Sequence, residues 1–99
     1  MTDSQHLYMI KLPADYTKLS STQRKKVREK YAKLQDNKCC FCNRSLDEKP
    51  IEEHKINWSL FPKGFTRHPI HLQHDHQTNL TEGAVHAYCN AVLWQYHHK

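Results

Sequence analysis

Two pairs of metal-ligating residues, Cys39-x-x-Cys42 and His86-x-x-Cys89, constrain this chain more than any other feature. Each x-x spacing offers half of a tetrahedral zinc site. Together they supply three thiolates and one imidazole, a closed set that suits a structural rather than a catalytic metal. Buried free cysteines would not explain why both halves keep the same spacing. Cys40 is the surplus thiol and could replace Cys39, although its spacing to Cys42 suits a zinc site less well. A staple is needed because only 37% of the 99 residues are hydrophobic, so the core must be small. Two disulfides in a secreted protein would be the other use of four cysteines. The first apolar stretch, Leu7 to Ile10, is far too short for the core of a signal peptide, and no run approaches a membrane span. Zinc in a reducing compartment is therefore expected.

Charge is unevenly placed. Of the net +5, all falls within residues 1–38, where nine Lys or Arg face four acidic residues; residues 39–99 are balanced. A basic first third beside a neutral, metal-rich remainder suggests a handle for a polyanion, although a solvated helix face would carry the same charges.

The chain reads as one α+β domain over residues 20–99, preceded by an N-terminal arm or edge segment over 1–19. Ser20-Ser21-Thr22-Gln23 predicts a capping box that opens a helix running to about Gln35, closed by Asp36-Asn37. Val27, Tyr31 and Leu34 form its apolar stripe. Pro50, Pro62, Gly64 and Pro69 argue against a long element between Asn43 and Pro69, where Trp58, Leu60, Phe61 and Phe65 are expected to fold onto the domain. Ile70 to His76 alternates as a strand, with Gly83 to His86 as its antiparallel partner and 77–82 as the turn. A last helix begins near Cys89, with Cys89, Leu93 and Tyr96 inward and Asn90, Trp94 and His97 on a neighbouring face. Trp94 is expected to pack in the core rather than to wedge into a groove.

The cluster His71-Leu72-Gln73-His74-Asp75-His76 lies between the ligand pairs. On a strand, His74 and His76 share one face and Gln73 and Asp75 the other. A neutral histidine is a competent general base for water. Asn90, held at a helix start after the last zinc ligand, offers an amide oxygen suited to magnesium. An ion there would polarise a phosphate oxygen and stabilise a leaving oxygen.

His74-Asp75-His76-Gln77-Thr78 through Gly83 to Cys89-Asn90 resembles the HNH, or ββα-metal, nucleases, and most of all their phage recombination endonuclease VII branch. That branch reads roughly D-H-D-H-x-T-G-x-x-x-G-x-x-C-x-x-C-N, and the chain follows it without a gap from Gln73 to Asn90. The resemblance implies a small zinc-organised ββα-metal domain behind a basic helix, acting on DNA as a phosphodiester hydrolase in a phage or bacterial host cytoplasm. It implies structural zinc on Cys39, Cys42, His86 and Cys89, with His74 as general base. His76 would touch phosphate or metal. A catalytic magnesium or manganese ion would rest on Asn90 and Gln73. Arg24, Lys25 and Arg28 would lie along DNA phosphates; no membrane is involved, and a homodimer would fit. Gln73 stands where the family places an aspartate, and an amide is the poorer magnesium ligand. A second stretch, Glu53-His54-Lys55-Ile56, also resembles the acid-His-x-Ile of ordinary HNH proteins but leaves the 71–76 cluster unexplained. The main rival is a non-enzymatic zinc module that binds nucleic acid or protein; a metal-storage protein would use the nine histidines but not their order.

Overall fold

A computed structural model describes residues 10–98. The first nine residues of the expected arm, and Lys99, lie outside the described residues. Helix α1 spans Ser21–Leu34, strand β1 Ile70–His74, strand β2 Thr81–His86 and helix α2 Ala87–His97. The architecture is small α+β, with two helices and a two-stranded antiparallel sheet among the described residues. No helix among them is long and apolar enough to cross a membrane.

Helix α1 starts where its capping box predicts. The Ser20 hydroxyl accepts from the Gln23 N–H at 3.1 Å, and the Gln23 side chain accepts from the Ser20 N–H at 2.8 Å. It ends because Asp36 and Asn37 both take positive φ, near 56°. Of the expected stripe, Val27 is buried and Tyr31 half-buried, but Leu34 is 69% exposed. Gln35, four residues after Tyr31, takes the position against the sheet, so Leu34 faces away from it.

The hairpin turn covers residues 75–80 rather than 77–82, and Asp75 organises it. Its carboxylate accepts from the Gln77 N–H at 2.7 Å, its N–H donates to the Leu80 carbonyl, and its own carbonyl accepts from Asn79. This side-chain-to-backbone turn ends β1 at His74 and leaves His76 outside the strand. The register slips between Gln73 and His74, with Glu82 as the bulged residue of β2.

Gln35 ties α1 to the sheet. Its amide group donates to the Ala84 carbonyl and accepts from the Ala84 N–H, both at 2.8 Å, as a third strand would. This close approach requires Gly83. A Cβ there would lie 2.8 Å from Gln35 Oε1 and 3.1 Å from the Cys40 side chain. Gly83→Ala is expected to cost about 1–3 kcal/mol, read as a lower midpoint of thermal unfolding. An unchanged midpoint would show that the packing of Gln35 and Cys40 on β2 is loose.

Two apolar clusters hold the fold. Cys39, Leu46, Ala84, Val85 and Cys89 form one, around the expected zinc ligands. Ile56, Ala91 and Val92 form the other, covered by Phe61 and Phe65. Inward positions on α2 are therefore Cys89, Ala91 and Val92, whereas Tyr96 is 44% exposed. Tyr88, Gln95 and Tyr96 instead bind backbone groups of residues 54–57, through the His54 N–H and carbonyl, the Asn57 N–H and the Lys55 carbonyl. That explains how a stretch with little regular structure of its own stays on the domain.

Residues 14–16 run along the hairpin end. Ala14 exchanges two hydrogen bonds with Thr81, one to the backbone at 2.8 Å and one to the hydroxyl at 2.9 Å, and the Tyr16 N–H donates to the Asn79 carbonyl. Tyr31 of α1 meets the same Thr81 from the other side, its hydroxyl 2.9 Å from that of Thr81. Thr81 is thus buried with every polar group satisfied.

Candidate metal centre and the cleft beside it

Cys39, Cys42, His86 and Cys89 converge, their ligand atoms all within 4.8 Å of one another. The turn after α1 delivers the first pair; the end of β2 and the first turn of α2 deliver the second. Zinc–sulfur and zinc–nitrogen bonds in a tetrahedron would set sulfur and nitrogen about 3.6 Å apart. His86 Nδ1 lies 3.4 Å from Cys42 Sγ and 3.7 Å from Cys89 Sγ. His86 Nε2 is 2.9 Å from the Ser45 carbonyl, which can only accept, so Nε2 carries the proton and Nδ1 points its lone pair at the centre. The donor set fits zinc or a similar metal. Cys40 is exposed and outside the cluster.

Without a metal, the thiols share protons unevenly. A hydrogen bond from Cys89, helped by the N–H groups of Cys42, His86 and Phe41, holds the Cys39 thiol down to about 4. Cys89 is pushed far up, because it donates to Cys39 and because it is buried. A bound cation would displace that proton and balance the charge of the thiolates.

Beside this centre lies a cleft of about 630 Å³, floored by β1. His74, His76 and Asn90 all line it, as do Arg24 and Arg28 of α1. The His74 ring stacks on Tyr16, with centroids 3.9 Å apart and planes 12° from parallel, and His76 tilts against it at 4.5 Å. Arg24 caps the far face of the stack. Its guanidinium lies 3.8 Å from the Tyr16 ring and donates to the Tyr16 carbonyl at 3.0 Å. Stacking covers the face of the His74 imidazole and leaves its nitrogens at the edge. Burial, then the His76 and Arg24 charges, lowers its pKa below the ordinary 6.5, so the ring is neutral at pH 7.

Gln73 does not join this cleft. Its amide donates to Glu82 at 2.8 Å and faces a separate hollow with Leu93 and His97. Lys25 is exposed and is not among the residues lining the cleft. The side chain that meets Asn90 is His71, with Nδ1 3.1 Å from the Asn90 amide nitrogen. Burial lowers the pKa of His71 as well. Sequence reading passed over His71 in favour of Gln73. Period-2 alternation would set His71 on the face of Gln73, opposite His74, yet His71 and His74 line one cleft across the register slip that follows Gln73, and no local pattern announces that slip. His54 lies apart, bound to Tyr88 and packed on Tyr96.

Comparison with family models, with curated proteins and with solved structures returned no match.

Proposed function

We propose that the protein is a metal-dependent DNA endonuclease of the HNH, or ββα-metal, kind, with His74 as general base. The observation that carries this reading is one cleft that gathers His74, His76 and Asn90 with two arginines, next to a Cys3His centre. The chain order of hairpin, helix and ligands agrees with the motif that the sequence resembles.

In this reading, Arg28 and Arg24 draw a phosphodiester into the cleft through charge. His74 removes a proton from water, its ring held against Tyr16 so that one edge nitrogen faces the phosphate. The hydroxide attacks phosphorus in line with the departing 3′ oxygen and leaves 5′-phosphate and 3′-hydroxyl ends. Asn90, with His71 beside it, would hold magnesium or manganese. Such an ion, when bound, polarises a non-bridging oxygen and stabilises the leaving oxygen. His76 approaches the same phosphate from the hairpin end. Gln73, bonded to Glu82 and outside the cleft, would take no part in holding that ion.

The test is cleavage of supercoiled plasmid by zinc-loaded protein with magnesium or manganese added. Nicking or linearisation is expected, and loss of it in Asn90→Ala. If DNA binds and zinc is present but neither ion gives cutting, the chain is a zinc-stapled DNA-binding module instead.

A further inference from the structure

Part of the cleft lining is aromatic. Phe61, Phe65 and Trp94 line it along with Arg24 and Arg28, and Trp58 packs on Phe61 beside it. These rings form a connected series. Trp58 meets Phe61 at 5.8 Å, Phe61 meets Trp94 at 5.3 Å and Phe65 at 4.7 Å, and Phe65 stands edge-on to His71 at 4.7 Å. The series therefore ends at the side chain that touches Asn90. Despite this packing, Trp58 and Trp94 remain 46% and 42% exposed. Large exposed rings rimmed by polar residues mark a surface that something else covers.

The two kinds of lining say what covers it. Arginines follow phosphates, whereas exposed rings offer π-faces to bases. In a duplex the base faces are hidden in the stack, so these rings would meet sugar edges only. An unpaired nucleotide presents both its phosphate and a bare base face, and one cleft that holds both arginines and rings matches the two halves of it.

We infer that the cleft takes unpaired nucleic acid, its bases stacking on Trp94 and the rings behind it while its phosphates face Arg24 and Arg28. This rests on the nuclease reading for the role of the site, and it makes single-stranded or locally unpaired DNA the substrate class.

The experiment is fluorescence anisotropy with zinc-loaded protein and no added magnesium or manganese, so that binding is read without cutting. The probes are a labelled single strand of about 12 nucleotides and the same strand annealed to its complement. The single strand is expected to bind roughly tenfold tighter or more. Trp94→Ala is expected to weaken it about tenfold, the loss of one base stack, and to leave duplex binding within about twofold. Trp94→Phe, which keeps a ring, should restore most of the affinity; it guards against a folding defect. Equal or tighter duplex binding overturns the inference, as does a Trp94→Ala variant that weakens both probes alike while folded. Single-strand preference in a protein that cuts nothing would retain this inference and sink the nuclease reading; cutting without the preference would do the reverse.

Discussion

Removing the metal from Cys39, Cys42, His86 and Cys89 with a strong chelator is expected to unfold the chain. Two of the five residues in the larger apolar cluster are ligands, Cys39 and Cys89. Among the described residues, the most deeply buried side chains are no larger than Val27, Val85, Val92 and Thr81, and Leu46, Leu72 and Ile56 are the larger aliphatic residues of the core. A core so small gives little of the stability, which for domains generally is only about 5–15 kcal/mol. Structural zinc contributes roughly 10–16 kcal/mol in small zinc domains, enough to decide the balance. A metal held by these four residues would also join the turn after α1 to the β2–α2 junction. Circular dichroism during chelation should show helix lost in one cooperative step and regained on adding zinc. Metal analysis should give one tight zinc per chain. Several equivalent sites would favour metal storage, and an apo-protein that melts at the same temperature would refute the stapling role. Cys89→Ser should mimic chelation.

His74→Ala is expected to lower cleavage by about 10²–10⁴-fold, the usual contribution of a positioned general base. Zinc content should stay the same, because His74 is half-exposed and outside both apolar clusters. The sign of its pKa shift adds a second readout. Burial and neighbouring positive charge favour the neutral ring, so cleavage should persist on acidification to below the ordinary histidine value of 6.5. A His74→Ala protein that cuts at the wild-type rate would remove His74 from the chemistry. An equal loss in His76→Ala would show that the pair acts as a unit.

The metal centre was legible because ligand chemistry and an x-x spacing act locally, within one turn of chain. Helix α1 was legible for the same reason: Ser20 and Gln23 satisfy each other across three residues. What escaped depended on distant parts of the chain. Leu34 fits its stripe by period, yet Gln35 beside it takes the place against β2 through its side-chain amide. Tyr96 fits a helical stripe too, but residues 54–57 take its hydroxyl and hold it at the surface. The hairpin turn begins two residues earlier because Asp75 exchanges hydrogen bonds with Gln77, Asn79 and Leu80, which ends β1 at His74. His71 escaped because the register slip at Glu82 brings it into one cleft with His74, against simple alternation.

The contacts of residues 14–16 bear on where this domain can be cut. A boundary drawn at Ser20 keeps every zinc ligand, both cleft arginines and the whole histidine cluster. It removes Tyr16, and with it the surface on which the His74 ring rests and the carbonyl that anchors Arg24. It also strips Thr81 of its Ala14 partners. A fragment trimmed in this way would keep the Cys3His cluster and pass for intact by composition, yet leave the His74 ring without its stacking surface and Arg24 without its anchor. The segment that looks most dispensable in the sequence thus holds the shape of the cleft.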